Sequence, residues 1–224
     1  MASVIHSILL YASTVWYDAL HVRRNRKALE STQRLAAIAV SSAYRTVSLE
    51  AVRVVAGVMP IDLMAWARVQ KEEGEEAPEN ELLLRWQERW AANTETAGWT
   101  RTLIPDLRPW VGRKFGETNF MLTQVLTGHG LFGSYLKRFH LSHTYECVYC
   151  GEADTPHHTV FCCPHTQPAR WDVERAIEVQ LCEGNLVPEM LRSEARWGLI
   201  AGFLERIMAD KFRRKRQDEY GQIA

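Results

Sequence analysis

Apolar positions recur mostly at helical spacing along this chain, so the first expectation is a mainly α protein. Val4 to Trp16 is apolar but interrupted by Ser, His and Thr, and it reads as a buried element too short to cross a bilayer. Leu29 to Ala43 carries its apolar residues on one stripe, with Arg23, Arg24, Arg26, Lys27 and Arg34 gathered at its start. Ser48 is placed to cap a next helix whose first turn holds Glu50; Gly57 and Pro60 stop it, and Asp62 opens another running toward Lys71. From Glu72 to Glu81 the chain turns Glu-rich around Gly74 and Pro78, which opposes burial and predicts a linker. Leu82 to Trp90 returns to helical spacing, whereas Trp99 to Gly116, with Pro105, Pro109 and Gly112, predicts an irregular connection packed through its tryptophans. Phe120 to Phe139 predicts a helix broken at Gly128, Gly130 and Gly133. Trp171 to Cys182 and Ser193 to Arg216 predict two closing helices, the last ending in Lys211, Arg213, Arg214, Lys215 and Arg216. These readings divide the chain into 1–71, 72–119 and 120–224.

Composition narrows the class. With 224 residues, 46% hydrophobic and 24% charged, the chain has material for one large or two small cores, which argues against disorder throughout. Its 27 Lys and Arg balance 27 Asp and Glu, so no global field draws it to nucleic acid or membrane, and any such binding must come from local patches. No cationic region precedes the apolar start and no small-residue cleavage site follows it, which disfavours a secretory signal. No membrane partner is expected. The cysteines are five, and four of them, Cys147, Cys150, Cys162 and Cys163, crowd into one stretch instead of spreading as a disulfide framework. An intracellular, reducing compartment fits that usage.

The cluster carries the clearest chemistry. Cys147-Val-Tyr-Cys150, followed by His158 and Cys163, spells C-x2-C-x7-H-x4-C within residues 146–164. A C-x2-C turn aims two thiolates at one centre, a second pair closes the tetrahedron, and Gly151 suits the tight backbone between them. Zn²⁺ is the expected ion, held in a small CCHC knuckle. His157 adjoins His158, Cys162 adjoins Cys163 and His165 lies just beyond, and neighbours do not readily point at one ion; the choice falls on His158 and Cys163, with Cys162 as a spare, and Cys162 against Cys163 stays open as the fourth ligand. Four protein ligands leave no position for water, so the site is structural and not hydrolytic. Three thiolates and a neutral imidazole around Zn²⁺ leave about one negative charge, so phosphate contact falls to flanking cations such as Lys137, Arg138 and Arg170. Tyr145 and Tyr149 are candidate stacking faces for unpaired bases.

Catalytic patterns are missing. A polymerase centre needs paired carboxylates for two metal ions, and no two aspartates are adjacent here. Pro105-Asp106 begins like a nuclease motif, but Gly112 stands where an acid would precede Lys114. Gly128-His129-Gly130 is too short for a phosphate cradle.

Several segments together resemble a known family. Tyr11-Ala-Ser-Thr-Val-Trp16, the basic helix running to Ala43-Tyr44-Arg45-Thr46-Val47-Ser48, and Ala56-Gly57-Val58-Met59-Pro60-Ile61-Asp62-Leu63 resemble the region just after the reverse transcriptase core of non-LTR retrotransposons. Phe120 to Phe139, Cys147-Val-Tyr-Cys-Gly151 and Asp154 to Pro164 resemble the C-terminal zinc knuckle of the same family, nearest to the Pol polyproteins of type-1 retrotransposable elements that insert in ribosomal DNA. The resemblance implies a parent polyprotein with RNA-directed DNA polymerase and endonuclease activity, Mg²⁺ at the parent polymerase centre and not here, and the rest of the polyprotein upstream. It implies thumb-like helices over 1–71, RNA template and target DNA as partners, and a nuclear location at the chromosomal target. The family's catalytic aspartates have no counterparts in this chain, so the segment itself is expected to bind and not to catalyse. The competing expectation is a zinc-stabilised helical module whose partner is protein.

Overall fold

The computed structural model describes residues 2–75 and 79–221, and divides into two compact units, Met1–Gly112 and Arg113–Ala224. Both are helical, and among the described residues there is no strand beyond one isolated bridge, Glu146 to Ala153. Pro78 lies outside the described residues.

The first unit runs α1 (Ala2–Leu9), α2 (Ser13–Trp16), a 3-10 turn (Tyr17–His21), α3 (Arg23–Ser41), α4 (Leu49–Ala56), α5 (Ile61–Glu72), α6 (Glu79–Ala92), α7 (Gly98–Leu103) and α8 (Leu107–Val111). The stop signals act as their chemistry dictates. The Ser48 hydroxyl accepts from the Ala51 N–H at the start of α4, and Gly57, at φ 64, ends it in the left-handed region where glycine has no Cβ to clash. Ala37, Val47, Ala51 and Val52 form one apolar cluster; Leu10, Leu20, Ile61 and Ala65 form another.

Buried polar groups fix how α3, α4 and α5 pack. Gln33, fully enclosed, donates from Nε2 to the Met59 carbonyl at 2.7 Å and accepts at Oε1 from Arg53 Nε at 2.8 Å and from the Ile61 N–H at 3.1 Å. One amide thereby satisfies three groups that would otherwise be buried without partners. Trp110 and Trp90 are buried with their indole N–H groups on the Val54 and Ile104 carbonyls, at 2.7 and 2.8 Å. The segment expected as an irregular connection is thus packed through tryptophan, but it also holds α7 and α8, because Asp106 caps Arg108 and starts a helix after Pro105. The opening apolar segment is not buried as a whole: Leu10 is enclosed while Ile8, Tyr11 and Val15 stand in solvent, since a short helix hides only one face.

The second unit runs α9 (Phe120–Thr127), α10 (Gly133–Arg138), a π turn (His158–Cys162), α11 (Gln167–Ile177), α12 (Leu186–Leu191) and α13 (Glu194–Gly221). Gly128, at φ 68, ends α9, which separates it from α10 at the expected break. Glu178 takes the left-handed cap of α11 at φ 57, so the helix expected through Cys182 stops at Ile177 and α12 forms separately. The apolar side of α13, through Trp197, Ile200, Phe203, Leu204 and Met208, supplies the centre of this core. No described helix is long and apolar enough to cross a membrane.

Candidate functional site

A short hairpin and a widened helical turn build the cluster. Glu146 pairs with Ala153, Cys147 N–H donates to the Glu152 carbonyl at 2.6 Å, and Gly151, at φ 80, donates back to the Cys147 carbonyl at 2.8 Å. This curl holds Cys147 and Cys150 on one side. The second pair comes from the π turn, in which Cys163 N–H reaches the His158 carbonyl at 2.8 Å, five residues back. In an α-helix the residue four along would lie over His158, and that residue is Cys162. The wider π turn advances the alignment by one, so Cys163 is buried within the cluster. Cys162 is left exposed, its sulfur 3.6 Å from His157 Nδ1.

The resulting geometry suits a tetrahedral ion. The ligand atoms of Cys147, Cys150, His158 and Cys163 all lie within 4.8 Å of one another. The Cys147 and Cys163 sulfurs are 3.8 Å apart, which matches the roughly 3.8 Å edge of a tetrahedron with bonds of about 2.3 Å from zinc to sulfur. His158 Nε2 lies 3.2 Å from the Cys150 sulfur. This Cys3His set can hold a metal ion such as zinc. Burial pushes the Cys147 thiol up to about 11 and keeps the His158 ring below its ordinary value. Burial thus favours the neutral imidazole a metal needs, and a bound cation would favour the deprotonated thiol.

Around the cluster, Asp154 acts as a fastener. Its carboxylate accepts from the Gly133 N–H at 2.8 Å, from the Thr159 hydroxyl at 2.8 Å and from Lys211 Nζ at 2.7 Å, with both charged side chains only 9% exposed. The hairpin, α10, the π turn and α13 meet on this one group. Next to it, Tyr149 donates to Asp210 at 2.9 Å and lies flat on His165, ring centres 3.7 Å apart. Burial pushes the Tyr149 phenol above its ordinary range, and the His165 hydrogen bond draws Asp210 below its own.

The expected cations fare unevenly. Lys211 is locked on Asp154, and Arg170 is buried, donating to the Val160 carbonyl at 3.1 Å; neither is presented to a phosphate, because each serves a buried acceptor. Arg34 donates to the Arg45 and Val47 carbonyls and braces the turn before α4. Arg213 and Arg214 pair with Asp210 and Asp218 on α13. Lys137 lies over the Tyr145 ring and Arg138 over Phe139, at 4.5 and 4.9 Å. Lys215 and Arg216 are exposed. Arg23, Arg24, Arg26 and Lys27 stand exposed on the first turn and a half of α3, within the first unit. Asp154, Gln33 and the π turn carry no distinctive spacing in the sequence, and no local pattern singles them out.

Fold and site together define a helical protein whose second unit carries a Cys3His set able to hold a metal ion. Comparison with known proteins then supplies its kin. The chain is 30% identical over 178 residues to the Retrovirus-related Pol polyprotein from type-1 retrotransposable element R1 4 of Nasonia vitripennis, covering 69% of this chain and 45% of that protein. It is 26% identical over 234 residues to the corresponding R1 2 polyprotein of the same organism, covering 92% of this chain and 56% of the relative. A putative 115 kDa protein in type-1 retrotransposable element R1DM of Drosophila melanogaster is 29% identical over 173 residues, which is 64% of this chain and 16% of that protein. The chain spans about half the length of the first two relatives and a sixth of the third. No protein-family model and no solved structure matches it. The chain is related to the Pol polyproteins of R1-type retrotransposable elements, as its residues suggested.

Proposed function

We propose that this chain is the C-terminal part of an R1-type Pol polyprotein and that it binds template RNA and target DNA, with Zn²⁺ held structurally by Cys147, Cys150, His158 and Cys163. In this reading the parent polyprotein supplies RNA-directed DNA polymerase and endonuclease activity, with Mg²⁺ at its own centre, and acts at the nuclear chromosomal target. Residues 1–71 serve as thumb-like helices. The carrying observation is the convergence of four soft or borderline donors within 4.8 Å in a chain similar to Pol polyproteins. Zinc would fix the hairpin and π turn in place, and the exposed cations at Arg23–Lys27, with Lys215 and Arg216 on α13, would meet phosphates.

Retention of single-stranded RNA and of nicked DNA, titrated from low to high salt, tests the binding. Affinity should fall log-linearly with salt; near-zero affinity at every salt concentration removes the reading. A second reading, a zinc-stabilised module for a protein partner, draws on the groove beside α13 that Leu136, Leu141 and Val148 line, the last two 67% and 63% exposed. A partner held equally well at moderate and low salt would favour it.

A further inference from the structure

The first unit contains a cavity of about 160 Å³ that the metal site does not use, lined by Tyr17, His21, Arg26, Asp62, Arg85 and Arg89, with Trp66 beside them. Three guanidiniums, from α3 and α6, and one carboxylate, from α5, line it together. Each is held in place through part of its donor set. Arg26 donates from Nε to the Leu20 carbonyl at 3.3 Å. Arg85 grips Glu81 through Nε and Nη2 while its plane lies 3.9 Å over the centre of Trp66. Arg89 donates from Nη1 to Asp62 at 2.6 Å, and Asp62 itself is buried. Among the described residues, the remaining N–H groups, on both terminal nitrogens of Arg26, on Nη1 of Arg85, and on Nε and Nη2 of Arg89, have no hydrogen-bond partner. Their positions are therefore set by interactions that leave these donors unpaired among the described residues.

Charge points to the occupant. Among the lining side chains three positive groups oppose one negative, and Glu81, paired to Arg85 at 2.8 Å, still leaves an excess of cations. Like charges gathered in one cavity repel unless an anion joins them. Planar guanidiniums with free forked donors match the oxygens of a phosphoryl group better than ammonium groups do. The same wall offers the His21 ring and the Tyr17 hydroxyl as further polar groups, and Arg23, Arg24 and Lys27 stand exposed on the helix that carries Arg26.

We propose that this cavity is a phosphate-binding site, with Arg26, Arg85 and Arg89 as its ligands and Asp62 as the group that orients Arg89. The phosphate comes either from a nucleic-acid backbone or from a free phosphoryl compound; the first source rests on the nucleic-acid reading given above, the second does not. Two probes on the full chain separate them: inorganic pyrophosphate, followed by calorimetric titration, and a single-stranded RNA, followed by retention across a salt series. The variant is Arg26→Gln with Arg85→Gln, since both side chains are exposed enough to change without emptying a core, and an unchanged melting temperature in anion-free buffer confirms its fold.

Pyrophosphate should bind the native chain, and the double variant should bind it about tenfold or more weakly, the scale of a charge-assisted hydrogen bond. If the RNA salt slope also drops, by about 0.7 for each phosphate no longer neutralised, the source is a strand backbone. An unaltered RNA slope with abolished pyrophosphate binding keeps the site and assigns it to a free phosphoryl ligand. RNA binding that fails altogether while pyrophosphate still binds removes the nucleic-acid function and leaves the site standing. Absent pyrophosphate binding in the native chain, or equal binding in the double variant, overturns the proposal.

Discussion

Cys162 and Cys163 differ by one position and take opposite fates, and the cause is the pitch of a single turn. Cys163→Ser should abolish zinc retention, whereas Cys162→Ser should keep about one zinc per chain, read by metal analysis of the purified protein. The sequence shows the cluster, but not this register, since spacing alone does not distinguish a π turn from an α turn. The fastener at Asp154 is equally silent, being an ordinary aspartate beside the second half of the motif. Asp154→Asn should cost about 3–5 kcal/mol in a denaturant titration, because Lys211 keeps its charge in a buried place, and adding Lys211→Met should recover part of the loss. Equal or additive losses in the two single variants and the double would sink that account. His6 gives a pH signature. Its Nε2 lies 3.3 Å from the Gln33 amide nitrogen, which can donate only to a ring nitrogen without a proton. Desolvation lowers the His6 value from 6.5, so the unfolded chain protonates first and stability should fall as pH drops below 6.5. His6→Leu should flatten that slope in thermal melts.

At the scale of elements, the charge at the start of α3 works against its own helix. Its first turn holds three cations and no acid, at the end where the peptide dipoles already leave positive charge. Arg24→Glu should therefore raise stability by about 0.3–1 kcal/mol while weakening RNA retention. Equal RNA binding by this variant would mean that the basic start of α3 is only solvated surface. The start and stop of α4 were legible from Ser48 and Gly57, and the break between α9 and α10 from Gly128, because caps and glycines act locally. The early end of α11 was not, because Glu178 adopts a left-handed cap without being a residue that favours one. Gly133 shows a different limit: an added Cβ would meet the Tyr145 carbonyl oxygen at 2.7 Å, a close approach of backbone to backbone that no local pattern records. Gly133→Ala should loosen the hairpin from α10 and lower the melting temperature of the metal-loaded protein.

At the scale of the whole molecule, each unit has its own core, and the metal-ligand set lies wholly in Arg113–Ala224. Chelation should therefore shift the unfolding of that unit and expose amides around 146–164 to exchange, with the amides of α3 and α4 protected as before. Unchanged exchange throughout would remove the structural role of the metal. The helical class was legible because most of the chain repeats at helical spacing, while the meeting of Arg26 with Arg85 and Arg89 was not, since they are brought together only by packing. The odd number of thiols has one more consequence. Of five cysteines, three belong to the ligand set, so Cys162 and Cys182 remain outside it, both exposed. A thiol-reactive dye should label those two rapidly while zinc masks the others, and all five once a chelator is added. The ratio of fast to slow labelling would make the chain its own gauge of metal occupancy.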